Sequence, residues 1–254
     1  MCYSAEIFIF FLKIIMLEKM NEFFNKLVEL FTTPEYINSL LHGFLLTMQI
    51  SFFAIIIGLV LGTIIALIDT APKSKWMMLP KFICKIYTTI IRGTPMALQL
   101  FIMFFVIFAI RGFPQIIIAV LAFGFNSAAY TAEVIRSGIQ SVDIGQTEAG
   151  MALGLSRFTI FRRIVAPQAI KNIIPALGNE IITVIKETAI VSMVGMYDLN
   201  MAAKDIGSGQ NMASYIVPMF VAALFYLAVV YLITFIIKRI EKRLRKSDLK
   251  AAEA

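Results

Sequence analysis

Cysteine, histidine and charge are all scarce in this chain, and each scarcity closes a route. Only Cys2 and Cys84 are present, one at the terminus and one beside an apolar run, so no disulfide framework is implied. The single histidine, His42, has no cysteine or carboxylate companions at ligand spacing, and no metal site is expected. No stretch matches the Gly-x-x-x-x-Gly-Lys-Ser/Thr phosphate loop, so if ATP drives this protein another chain must bind it. No nucleophile–base pair, metal cluster or carboxylate dyad stands out, which leaves an enzyme reading without support.

Apolar residues fill the space. They make up 59% of the 254 positions, and the mean hydropathy is +0.84, far beyond a soluble domain. The chain reads as an all-α polytopic membrane protein. Its net charge of +7 sits in blocks beside apolar spans, a pattern of membrane orientation rather than of nucleic-acid binding. Residues 7–16 form an apolar run broken by Lys13, too short to span, with neither the basic start nor the cleavage site of a signal peptide. An interfacial helix is expected over residues 21–31, where Phe23, Phe24, Leu27, Leu30 and Phe31 recur at helical spacing.

Five spans follow. Residues 43–68 lack any charge and exceed the roughly 20 residues a bilayer core requires. Gly58, Gly62 and Ala66 fall four apart there, either a stripe for close helix packing or a flexible lipid-facing strip. A loop over 69–81 and a surface segment over 82–91 lead to Arg92-Gly93-Thr94-Pro95. Thr94 suits an N-cap and Pro95 the first helical position, so a second span is expected over 95–110. Arg92 beside that helix start either anchors the chain at the headgroups or adds to a positive end that attracts a carboxylate. The third span, 112–132, turns polar at Asn126, Ser127 and Tyr130, and Glu133 and Arg136 stand one turn apart and can pair.

The fourth span, 173–194, carries Glu180, Lys186 and Glu187, each costing about 2.5–3.5 kcal/mol at membrane depth. Glu180, Thr183 and Glu187 share a face, with Lys186 roughly a quarter turn away. Such a face lines a watery path or a subunit contact, or holds paired charges that only fix packing. A polar loop over 198–214 leads to the fifth span, 215–237, and a basic tail, 238–254. Lysine and arginine crowd the segments after spans one, three and five, while the opposite loops hold only Arg111 and Lys204. The rich side is therefore the cytoplasm, and the N-terminus faces out.

Between spans three and four lies a polar, small-residue stretch. Asp143 and Gln146 have capping-box spacing, Gly154 suits a left-handed helix stop, and Ser156 suits the next N-cap. The second helix is expected to carry Phe158, Phe161 and Val165 on one face and to bend at Pro167. Ala149, Gly150 and Ala152 leave little bulk beside the charge of Glu148, a shape suited to docking.

Glu148, Ala149, Gly150, Gly154, Ile164 and Pro167 stand at the spacing of the EAA loop of permease subunits in binding-protein-dependent ABC importers, which this chain resembles. Gly150 replaces the usual third alanine, and Ala166 the leucine before the proline. Arg92-Gly93-Thr94-Pro95, Ala128-Ala129-Tyr130, Glu133-Val134-Ile135-Arg136 and Gly145-Gln146 look like the polar amino acid branch. Lys186-Glu187-Thr188-Ala189 resembles a family segment that more often ends in serine. The likeness covers about residues 41–237.

The resemblance implies a transport subunit in the inner membrane, with residues 1–40 as an extension, 41–237 as the permease domain and 137–171 as the coupling loop. It implies a second permease subunit, an ABC ATPase that holds ATP and magnesium, and an extracytoplasmic solute-binding protein; this chain itself carries no cofactor. Asn126, Glu180, Thr183, Lys186, Glu187 and Thr188 are the candidate substrate pathway, and Arg92, Gly93, Thr94, Pro95, Glu133 and Arg136 are structural or gating candidates. The competing class is a secondary transporter or channel that uses the span-four charges without ATP.

Overall fold

A computed structural model describes the backbone of residues 2–72, 74–210 and 212–252, and the side chains of residues 16–72, 74–210 and 212–244. Among the described residues the chain is helical and holds no strand. Helix α1 (Cys2–Thr32) is continuous where the sequence suggested a short run and a separate interfacial helix; the side chains of residues 7–15 lie outside the described set. Extended Thr33 and Pro34 then start α2 (Pro34–Thr70), because proline's missing N–H costs nothing in a first turn. At 37 residues α2 is about 55 Å long, well beyond a bilayer core, and it passes unbroken through the boundary drawn at residue 40.

Helix α5 (Gln115–Gln140) lies closest against α2, and glycine makes that approach possible. A Cβ on Gly58 would stand 2.7 Å from the Ser127 hydroxyl, and one on Gly62 would stand 2.7 Å from the Thr131 Cβ. The small-residue stripe therefore faces a helix rather than lipid. Ile50, Ala54, Leu100, Phe123 and Val191 fill one core around this seam. A second core joins Leu30 of α1, Leu40 of α2 and Val217 of the last helix to Leu199 and Ala203, which belong to a helix the sequence reading placed in a loop.

That helix is one of several departures from expectation. The segment read as a polar loop over 198–214 contains α9 (Leu199–Ser208), capped by Asp198 and buried along Leu199, Ala202, Ala203 and Ile206. Polar Asn200, Lys204, Asp205 and Ser208 masked its amphipathic period. The loop read over 69–81 gives way at Lys75 to α3 (Lys75–Gly93), an amphipathic helix with no fully buried residue. It turns by 108° into α4 (Met96–Ile102), which ends in a wider π turn, Met103–Ile107.

Helical geometry then runs without a break from α7 (Arg157–Ile160) through a π turn (Phe161–Val165) and α8 (Ala166–Glu187) into a tighter 3₁₀ turn, Thr188–Val194. Pro167 does not break the helix; it follows directly on the π turn, within the first residues of α8. The tail is helical as well, as the end of α10 (Ile216–Ala252).

Among the described residues three helices are long and apolar enough to cross a membrane, Pro34–Thr70, Gln115–Gln140 and Ile216–Leu244. A fourth is added if the bent α3–α4 pair is one span. Helix α8 is not among them, because its charged and amide side chains lower its apolarity.

The α2–α5 seam yields a direct test. Gly62→Leu is expected to destabilise the protein by about 1–3 kcal/mol through overpacking against Thr131. Gly93→Ala, where a Cβ meets nothing within 4 Å, is expected to stay within about 0.5 kcal/mol. Equal melting temperatures of the two variants in detergent would refute the close approach.

Candidate functional site

Three constellations gather the residues singled out by sequence. The first is the helix-Gly-helix segment. Asp143 Oδ1 accepts the Gly145 N–H at 2.7 Å and starts α6 (Ile144–Ala152). The reciprocal half of the capping box is not made; the Gln146 side-chain oxygen instead accepts from Gln168 Nε2 at 3.4 Å, tying α6 to α8. Gly154 has φ +74°, and the Leu155 N–H returns to the Gly150 carbonyl at 3.1 Å, so the helix closes on a left-handed residue. Ser156 Oγ then accepts the Thr159 N–H at 3.3 Å as the next cap.

Gly150 is buried because the return helix lies on it. A Cβ there would meet Ile160 Cγ1 at 2.8 Å and Ile164 Cδ1 at 3.4 Å. Glu148 and Ala149 point away and are exposed, in company with exposed Met151, Leu153 and Phe158. The shared face expected for Phe158, Phe161 and Val165 is not formed: Phe158 is 69% exposed, whereas Ile160 and Val165 are buried. The π turn adds a residue to one coil and rotates everything after it, which an ordinary 3.6-residue count misses.

The second constellation is ionic. Glu133 receives Arg92 Nη1 at 3.2 Å and Arg136 Nε at 3.1 Å, and Arg136 Nη2 also bonds its other oxygen. Arg136 further approaches Asp69 at 3.8 Å and donates to Gln140 Oε1 at 2.9 Å. Arg92 lies over the Tyr130 ring, 5.7 Å from its centroid. The expected Glu133–Arg136 pair is thus one edge of a cluster that joins the ends of α2, α3 and α5. Asp69 was not anticipated, since nothing in sequence places the end of span one beside residue 136.

The third is a polar belt deeper in the bundle. Asn126, 6% exposed, donates to Gln99 Oε1 at 3.0 Å. Gln99 Nε2 donates to the Ile91 carbonyl at 2.8 Å, the Thr94 carbonyl at 3.1 Å and Thr94 Oγ1 at 2.7 Å. Gln99 therefore clasps the α3–α4 elbow to α5, using a carbonyl that the end of α3 leaves unpaired. Thr94 is not an N-cap: its hydroxyl donates back to Ile90 at 2.9 Å and closes α3, while Pro95 stands just before the first residue of α4. A carboxylate site built on a positive helix start at Thr94 loses its geometry, because the negative end of α3 shares that position.

Next to Asn126, Ser127 Oγ donates to Glu180 Oε1 at 3.0 Å, so one turn of α5 reaches both the elbow and α8. Glu180 and Glu187 are half-buried, whereas Thr183 and Lys186 are exposed. Thr188 is fully buried, bonds the Ile185 carbonyl at 2.6 Å and lies 3.4 Å from the Ser51 hydroxyl. It belongs to the packing of the 3₁₀ turn rather than to the face of Glu180.

Asp198, wholly buried, was missed as well. Its Oδ1 caps α9 by accepting the Met201 N–H at 2.9 Å, while Oδ2 has no hydrogen-bond partner among the described residues. Burial pushes this carboxyl up to about 6 from an ordinary 3.8.

Two outcomes follow from these groups. Gln99→Leu leaves buried Asn126 and the Ile91 carbonyl without partners, an expected loss of about 1–3 kcal/mol visible as a lower melting temperature; unchanged melting would discard the clasp. For Asp198 the folded state holds its proton more tightly than the unfolded state. Its contribution is therefore full below its ordinary value and is lost as pH rises through about 6. Melting temperatures between pH 4 and 7 should show this fall in the wild type, and Asp198→Asn should flatten it.

Comparison with known proteins adds the family. Residues 58–246 match the family described as binding-protein-dependent transport system inner membrane component. The chain is 38% identical over 219 residues to the arginine transport system permease protein ArtQ of Bacillus subtilis, covering 85% of this chain and 97% of that protein. It is 41% identical over 207 residues to a putative glutamine transport system permease protein GlnP of Rickettsia felis, covering 81% and 92%.

A crystal structure of an amino acid ABC transporter with histidines superposes with TM-score 0.74 at 36% identity, over 82% of this chain and 95% of that one. An inward-facing structure of the MetNI methionine ABC transporter shares the fold, with TM-score 0.66 at 23% identity over 84% and 99%. This chain belongs to the binding-protein-dependent transport system inner membrane components and is a membrane-spanning permease subunit of an ATP-driven importer, not an enzyme.

Proposed function

We propose that the chain carries polar amino acids inward and takes its power from an ABC ATPase seated against the helix-Gly-helix segment. The observation that carries this reading is the posture of that segment. A glycine-backed helix, α6, presents Glu148 and Ala149 outward, ringed by exposed Met151 and Leu153, and the return helix packed on its Gly150 runs unbroken into α8. One directed charge on a low, apolar knob suits a protein partner, and a continuous helix behind it suits a lever. The amino acid cargo is supported by the names of the relatives, arginine for one and glutamine for the other.

In this reading five spans cross the membrane, with the bent α3–α4 pair and α8 as the second and fourth. The basic segments after spans one, three and five put the coupling loop, 137–171, and the tail, 238–254, in the cytoplasm and the N-terminus outside. Residues 1–40 precede a permease domain over 41–237. ATP and magnesium bind the ATPase. A solute-binding protein delivers cargo from outside, and a second permease subunit completes the path. Glu180 and Glu187 receive the ammonium of the amino acid and Lys186 its carboxylate; Asn126, fixed by Gln99, and Thr188, buried in a turn, support the wall.

Glu148→Arg tests the seat. Losing a paired charge in a docked interface costs about 2–5 kcal/mol, so uptake and co-purification of the ATPase should fall at least about tenfold while membrane insertion stays normal. Wild-type uptake and complex recovery would reject the assignment.

A further inference from the structure

Helix α3 presents an exposed apolar stripe that no other helix covers among the described residues. Phe82, Ile86 and Ile90 recur every fourth residue and are 61%, 42% and 56% exposed. They line a hollow of about 360 Å³ together with Lys85 and Thr89. On the other side of those two residues lies a second hollow, also about 360 Å³, whose wall is the ionic cluster of Asp69, Arg92, Glu133 and Arg136. A polar chamber and an apolar groove thus meet at Lys85 and Thr89.

Charge fixes what the pair of hollows accepts. Glu133 is held by both arginines, and Asp69 is faced by Arg136. Three cations, counting Lys85, stand against two carboxylates, which leaves the chamber one positive charge in excess. The Lys85 ammonium and the Thr89 hydroxyl have no hydrogen-bond or ion-pair partner among the described residues. Thr88, by contrast, is spent on the Cys84 and Lys85 carbonyls at 3.0 and 3.1 Å. A singly charged phosphodiester balances that excess, and the adjoining groove demands that the anion carry an apolar chain. A soluble anion would leave the groove uncovered.

We infer that this junction binds an anionic phospholipid, its phosphate at Lys85, Thr89 and Arg92 and one acyl chain along Phe82, Ile86 and Ile90. The assignment rests on the orientation proposed above, which puts the ends of α2 and α5 at the cytoplasmic leaflet, where anionic headgroups attract basic side chains. A bound lipid there would brace the α3–α4 elbow from outside as Gln99 braces it from within.

The test is native mass spectrometry of the purified permease–ATPase complex in detergent, with phosphatidylglycerol, phosphatidylcholine or inorganic phosphate added. Wild type should retain phosphatidylglycerol in preference to phosphatidylcholine. Lys85→Gln should weaken retention about fivefold, the worth of one basic residue beside an anionic lipid. Ile86→Asn should weaken it too, and phosphate at equal concentration should not displace the lipid. Retention unchanged in both variants, or displacement by phosphate, would overturn the assignment. Uptake by the same complexes in liposomes separates the two proposals. Amino acid uptake without lipid retention defeats only the lipid site, and lipid retention without amino acid uptake defeats only the proposed cargo.

Discussion

A charged or amide side chain set among apolar helices must find its partner inside the protein, because lipid offers none. That requirement shapes the polar contacts that hold this bundle together. Glu133 draws Arg92 and Arg136 to one point, and so fixes where α3 can end relative to α5. Asn126 draws Gln99, and Gln99 in turn satisfies the frayed carbonyls of α3. Ser127 reaches Glu180 and sets the face that α8 turns toward α5. The polar residues are few, and each one therefore specifies more geometry than a surface residue of a soluble protein does.

Helix α5 is where these demands converge. Its apolar and small positions close on the glycine stripe of α2, its middle bonds both the elbow and α8, and its far end leads within a few residues into α6. A helix held on three sides moves as a body with what it touches. The helix-Gly-helix segment has two connections into the bundle, back through a short turn to α5 and forward through the π turn into α8. The π turn suits that junction, since it keeps the backbone helical while changing which side chains face inward. Pro167 stops nothing because the π turn directly before it already departs from the i−4 bonding that a proline interrupts.

Local chemistry was legible in sequence wherever one residue type has one good use. Gly154 adopts its left-handed turn, Ser156 and Asp143 cap helices, and Glu133 pairs with Arg136 one turn on. Spans one, three and five stood out because long charge-free runs have no soluble interpretation. What stayed hidden depends on contacts distant in the chain. Asp69 meets Arg136 only because α2 and α5 lie together, and Gln99 reads as an ordinary polar residue until Asn126 is seen beside it. Helix α9 was lost to its polar side, and Thr94 was assigned to the wrong helix because a cap residue between two helices serves either one equally well on paper. Membership of the importer family also sets aside the self-sufficient transporter, which the charges of α8 alone had left open.

The belt and the ionic cluster differ in what they can tolerate, and the difference bears on where a cargo would travel. Asn126 and Gln99 spend their amides on one another and on backbone, so a passing ammonium or carboxylate gains nothing there without breaking a buried bond, at a cost of about 1–3 kcal/mol. Glu180 spends one oxygen on Ser127 and keeps acceptor capacity, Lys186 on the same helix is exposed, and Thr183, also exposed, donates its hydroxyl to the Asn179 carbonyl at 3.0 Å. A moving zwitterion is better served by groups that are half satisfied than by groups already complete. On that ground the path proposed above runs along the face of α8 that carries Glu180 rather than along the Gln99 belt, whose bonds are complete.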